Sequence, residues 1–148
     1  MNRDFIRKVL TECNVSFDEH KVNQIIGTAI IESNVTNVKQ QGGGPALGYF
    51  QMEPRTREDI LTNYIGYHPL MMKQLSKAVG SLSCSDKEFM LNPALQVVFC
   101  WLHYRRYKAW GENVWMYAVN WKRKYNTMKG KGKSSEYVKR YLKYMEDK

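Results

Sequence analysis

Apolar residues recur along this chain mostly at every third or fourth position, and the predicted elements follow from that helical spacing. Phe5, Ile6, Val9, Leu10 and Cys13 describe a short amphipathic helix from about Asn2 to Cys13, and Asn14-Val15 breaks it. Ser16-Phe17-Asp18-Glu19 reads as a capping box that starts a second helix, with Val22, Ile25, Ile26, Ala29 and Ile30 on one side. That helix ends at Glu32. Because Ile25, Ala29 and Glu32 stand at i, i+4 and i+7, the carboxyl falls on the same face as the apolar residues.

Thr36 to Pro45 loses the periodicity and contains Gly42-Gly43-Gly44-Pro45, so a loop is expected there. Leu47-Gly48-Tyr49-Phe50-Gln51-Met52 suits a small strand or irregular ribbon. Pro54 fits the first turn of a helix from Arg55 to about Ile65, and Pro69 opens another that Gly80 closes. Ser85-Asp86-Lys87-Glu88 is a second capping box, and Asn92-Pro93 is an N-cap followed by proline. The most apolar helix follows, Ala94 to about Tyr107, and is expected to be central. Asn113 caps a helix carrying Trp115, Tyr117, Ala118 and Trp121, and Ser134 or Ser135 caps the last one. Without repeats or a long linker, residues 1–148 read as a single, mainly α domain.

Composition narrows the function classes. The chain is 43% hydrophobic with no apolar run long enough to cross a bilayer, which describes a soluble protein. Its first eight residues interrupt the apolar positions with charge and lack a small-residue cleavage site, unlike a secretory signal. Synthesis in the cytoplasm is therefore expected, and any extracellular target is reached by another route. Cys13, Cys84 and Cys100 are far apart and form no CxxC motif; His20, His68 and His103 are scattered, so neither a metal nor another cofactor is expected. Three glycines with no Gly-Lys-Ser/Thr behind them do not make a P-loop. Lys and Arg outnumber Asp and Glu by 23 to 14, for a net charge of +9. That surface attracts polyanions such as nucleic acid, anionic lipid or acidic wall polymer, and charge alone does not choose among them.

Glu32 is the residue with chemistry to offer. A desolvated carboxyl keeps its proton nearer neutral pH and can donate it to a leaving oxygen. The plainer reading is a helix-end glutamate that turns to water or pairs with a lysine or arginine. The segment after it favours the first.

A helix ending in Glu32-Ser33, a glycine-bearing loop and then Gly48-Tyr49-Phe50-Gln51-Met52 resembles the lysozyme-like lytic transglycosylases that cleave peptidoglycan. Asn92-Pro93-Ala94-Leu95-Gln96 is similar to the start of that family's central helix, Ala118-Val119-Asn120 to its Ala-Tyr-Asn, and Ser135-Glu136-Tyr137-Val138 to its closing Thr-x-x-Tyr-Val. The wording from Gly44 to Pro54, with Tyr125-Asn126-Thr127 and Gly130-Lys131-Gly132, looks most like phage-encoded members. The resemblance implies a lysozyme-like helical domain with a small β or irregular element after the catalytic helix. It also implies cleavage of the β-1,4 bond after N-acetylmuramic acid, with Glu32 as acid and then base.

On this reading Ser33 helps hold the glutamate, Gln51 hydrogen-bonds sugar groups, and Gly48, Tyr49, Phe50 and Met52 shape the groove. Tyr49, Phe50 and Met52 serve equally well as core. Asn120 is the third-motif asparagine, with Asn126 the alternative, and Tyr137 is the tyrosine expected to hydrogen-bond Glu32, with Tyr141 and Tyr144 on neighbouring turns. Val119 and Trp121-Lys122 depart from the family pattern. The partners implied are peptidoglycan strands at the cell wall or periplasm, with phage virion proteins beside them and no specific nucleic acid. A hydrolytic muramidase and a non-catalytic wall-binding or virion protein stay open. Glu53, Glu58 and Asp59 are the acids near the second motif; Glu58 and Asp59 read as charges beside a helix N-terminus.

Overall fold

Two helices are enclosed by the others: α2 (Glu19–Ser33) buries Val22 and everything from Gln24 to Ile30, and α6 (Pro93–Arg106) buries everything from Leu95 to Tyr104. The computed structural model describes residues 1–126 and 130–148, so Thr127 lies outside the described residues. Around the two central helices stand α1 (Arg3–Glu12), α3 (Pro54–Asn63), α4 (Pro69–Val79), α5 (Asp86–Met90), α7 (Val114–Asn120) and α8 (Ser134–Glu146). The fold is mainly α, and one hydrophobic core runs through it from Ile6 to Tyr141. No helix among the described residues is long and apolar enough to cross a membrane.

Most helix starts follow the local chemistry. Ser85 and Glu88 form the reciprocal capping box, Asn92 accepts from the Leu95 amide at 3.0 Å, and Asn113 accepts from the Met116 amide at 3.0 Å. Gly80 closes α4 at φ +92°, in the left-handed region that suits glycine. Two starts differ from expectation. Asp18, not Ser16, caps α2 by accepting from the Lys21 amide at 3.0 Å, while Glu19 pairs with Arg7 of α1 at 2.5 Å. Neither Ser134 nor Ser135 caps α8: Lys133 precedes it without a side-chain cap.

Between α2 and α3 the chain forms an irregular ribbon. Lys39 bridges Leu47 and Leu47 bridges Met52, both antiparallel, with a tight turn from Gly48 to Gln51. After α7 the backbone widens into a π-helical turn, Trp121–Asn126. Such turns recur at functional sites, and this one faces the end of α2.

Gln24 and Thr28, the buried polar side chains at the centre of α2, are paired, whereas Asn23 Oδ1 of α2 and the Trp101 indole nitrogen of α6 are buried without a partner among the described residues. Gln24, fully buried, donates to the Ala109 carbonyl at 2.8 Å and accepts from the Gly111 amide at 2.9 Å. The Thr28 and Tyr104 hydroxyls meet at 2.7 Å. Gly27 lies directly under the Tyr137 ring, where a Cβ would fall 1.9 Å from the phenol oxygen, so glycine permits α8 to seat against α2.

Candidate active site

Glu32 stands in the last turn of α2, next to backbone carbonyls that no later turn of helix can satisfy. Arg140 of α8 donates to the Ile31 carbonyl at 3.2 Å and to the Ile30 carbonyl at 2.9 Å, the latter shared with the Asn34 amide at 3.0 Å. The indole N–H of Trp121 donates to Glu32 Oε2 at 3.0 Å. Burial nevertheless dominates and pushes the Glu32 carboxyl up to about 7, against the opposing pull of the Trp121 hydrogen bond and the Arg140 charge. At neutral pH the group is therefore poised between acid and base.

The chain beyond Glu32 is bent sharply: Asn34 and Val35 both lie in the left-handed region, at φ +54° and +59°. For a β-branched valine that conformation is strained. The bend returns the chain towards the ribbon, where three side chains fix the backbone of the second motif. Ser33 Oγ donates to the Tyr49 carbonyl at 2.7 Å, Gln96 Oε1 of α6 accepts from the Tyr49 amide at 2.8 Å, and the Tyr125 hydroxyl donates to the Phe50 carbonyl at 2.7 Å. Gln51, at φ +47°, ties its own amide nitrogen to the carbonyls of Val38 and Gly48. Local strain is thus held by contacts from α2, α6 and the π turn at once.

Glu32 opens into a groove of about 680 Å³ shared with Gln51, Met52, Glu53, Tyr125 and Asn126. Its far wall comes from α3 and the end of α6. There Arg106 pairs with Asp59 at 2.5 Å and donates to His103 Nδ1 at 3.0 Å, while His103 Nε2 donates to the Lys124 carbonyl at 2.6 Å. A carbonyl only accepts, so those partners fix one neutral tautomer of His103. Burial pushes its pKa down to about 4. The chain Asp59–Arg106–His103 is therefore a strut that anchors the π turn. Arg55 and Lys124, both exposed, add positive charge to the groove.

Several sequence expectations are corrected here. Tyr137 does not reach Glu32: its hydroxyl donates to the Gln24 carbonyl at 3.3 Å, two turns earlier on α2, and its ring stacks with Tyr141. Asn120 does not line the groove; its amide donates to Gln24 at 3.3 Å, and Asn126 stands at the groove instead. Ser33 holds the Tyr49 carbonyl and makes no hydrogen bond to the glutamate, and of the two roles open to Phe50 the structure gives it core, 1% exposed. Tyr49 is half-buried against the core, whereas Gln51 and Met52 line the groove, Met52 also belonging to the core at 3% exposed. Asp59 lies in the middle of α3, too far along for its dipole, and Asn63 and Arg106 hold its carboxyl below the usual range.

Trp121 is the residue the sequence did not offer as Glu32's partner. Among the described residues no group of three or more His, Cys, Asp or Glu is arranged to hold a metal.

The Trp121 hydrogen bond has a measurable consequence. It stabilises the ionised carboxylate, so Trp121→Phe raises the Glu32 pKa further. For a reaction that needs the protonated acid, the alkaline limb of the kcat/KM profile then moves up from its wild-type position near pH 7. A pH–rate profile that keeps its limb in the variant removes Trp121 from this role.

Comparison of the chain with protein-family models, with curated proteins and with solved structures yields no match in any of the three.

Proposed function

We propose that this chain is a peptidoglycan lytic transglycosylase, phage-derived and acting at the cell wall, with Glu32 as its catalytic acid and base. The observation that carries the proposal is a carboxyl raised to about 7 at the edge of a large groove, beside a motif pinned from three sides. The resemblance of Glu32-Ser33 and Gly48-Tyr49-Phe50-Gln51-Met52 to that family supplies the substrate class.

The steps follow from one carboxyl. Protonated Glu32 gives its proton to the glycosidic oxygen as the bond from the anomeric carbon of N-acetylmuramic acid breaks, and positive charge builds at that carbon. The resulting Glu32 carboxylate, stabilised by the Trp121 indole and the Arg140 charge, takes the proton of the same sugar's 6-hydroxyl. That oxygen closes on the anomeric carbon and leaves a 1,6-anhydro end. Arg55 and Lys124 suit a substrate bearing carboxylates.

A second reading rests on Glu53, an exposed carboxyl in the same groove. If Glu53 activates water opposite Glu32, the enzyme is a hydrolytic muramidase. Mass spectrometry of a cell-wall digest separates the two, since the anhydro end is lighter by one water than the reducing end that hydrolysis leaves. The expected product is the anhydro sugar. Binding to the wall with no fragments released would instead leave a non-catalytic wall-binding protein.

A further inference from the structure

The ribbon that walls the catalytic groove has a second cavity behind it. Adjacent residues of an extended segment point to opposite faces, and here Gln40 and Ala46 line the groove while Lys39, Pro45 and Leu47 line a cavity of about 690 Å³ on the other side. α5 and the residue after it close that cavity with Lys87, Met90 and Leu91. Leu91, at its rim, is 74% exposed. The cavity's one acid, Asp86, is bound to Arg57, whereas Lys39 and Lys87 form no ion pair among the described residues. An apolar floor with two uncommitted cations at its rim fits a ligand that carries small aliphatic side chains and carboxylates.

We infer that this cavity binds the acidic stem peptide of the glycan strand whose sugars occupy the catalytic groove, an assignment that rests on the transglycosylase reading above. Reach supports it. The two cavities lie on opposite faces of one short stretch of chain, Gln40 and Ala46 lining the groove and Lys39, Pro45 and Leu47 the cavity, and the four residues of a stem, which span about 13 Å when extended, are long enough to pass over its edge. The lysines meet its carboxylates, and Pro45, Leu47, Met90 and Leu91 receive its alanine methyl groups. The enzyme therefore prefers strands that still carry their peptides.

The test compares kcat/KM on intact strands with kcat/KM on strands stripped of peptide by an amidase, for the wild type and for Lys87→Glu/Leu91→Glu. Both substituted positions are exposed, which leaves the core untouched. The preference for intact strands is expected to fall about tenfold in the double variant, the equivalent of one lost charge-assisted contact with its apolar neighbour. In parallel, the free tetrapeptide L-alanyl-γ-D-glutamyl-diaminopimelyl-D-alanine should shift the amide resonances of Leu47, Met90 and Leu91 in the wild type. Equal rates on both strands, with no peptide-induced shifts, overturn the inference while leaving the transglycosylase reading intact. Peptide-induced shifts at those residues in a protein that cleaves neither strand overturn the catalytic reading and keep the peptide site.

Discussion

Glu32→Gln is expected to lower turnover on peptidoglycan by roughly 10³-fold, within the range attributed to a positioned acid–base group, and at the same time to stabilise the protein above neutral pH. The two effects share one cause. The wild-type carboxyl has its pKa raised from 4.5 to about 7 by burial, so the folded protein holds this proton more tightly than the unfolded chain does. Below pH 4.5 both states are protonated and the group costs nothing. As pH rises towards 7 the unfolded chain ionises freely while the folded one resists, and stability is lost over that window. At about 1.36 kcal/mol per pH unit the full difference is about 3 kcal/mol. This is a ceiling, because the residue is only half-buried.

Glutamine keeps an oxygen for the Trp121 indole and carries no charge, so the variant escapes the loss. Urea unfolding of both proteins at pH 4 and pH 8 gives the comparison: stabilities that converge at pH 4 and diverge in favour of the glutamine at pH 8. Groups whose pKa is lowered in the fold, such as Asp59 and Glu88, titrate identically in both proteins and cancel in the difference. Parallel curves would mean that the carboxyl is solvated, and a variant that still cleaves peptidoglycan would remove Glu32 from the chemistry. An active site that stores instability is the usual accompaniment of function.

What could be read from the sequence was whatever depended on near neighbours. Ser85 with Glu88, Asn92 before Pro93, Asn113 and Gly80 all act within a few residues of themselves, and each does what its local chemistry dictates. The α2 start went differently because Glu19 is taken by Arg7, a partner from another helix that no local motif reveals. The second motif was visible as a pattern, and its groove-facing residues, Gln51 and Met52, were among those named. The groove's remaining walls were not. Trp121 lies 89 residues from Glu32 and reaches it only because α7 and the π turn pack across the end of α2. Tyr137 packs on α2 two turns before Glu32, since the space for its ring is set by Gly27 and not by the position of the glutamate. His103 stands alone in the sequence, and its role comes from Arg106 and the Lys124 carbonyl on its two nitrogens, which only the fold brings there.

Gly48→Ala is the substitution expected to damage fold and site together. Gly48 sits at φ +83°, where an alanine costs about 1 kcal/mol, and its new methyl would fall 2.1 Å from Gln96 Oε1. Gln96 is 1% exposed and cannot step aside freely: its oxygen accepts from the Tyr49 amide, and its nitrogen donates to the Phe89 carbonyl and to Asn37, each at 3.1 Å. Displacing it leaves a buried group unpaired, at about 1–3 kcal/mol. A total near 3 kcal/mol follows, read as a lowered midpoint in urea. Activity falls further, by about 10²-fold, because the same turn carries Gln51 and Met52 into the groove and a shift of about 1 Å there is enough. A double-mutant cycle identifies the cause. In Gly48→Ala/Gln96→Ala the obstructing side chain is gone, so the pair costs less than the sum of the single changes. Strict additivity would trace the damage done by Gly48→Ala to backbone strain alone, with no collision against Gln96 behind it.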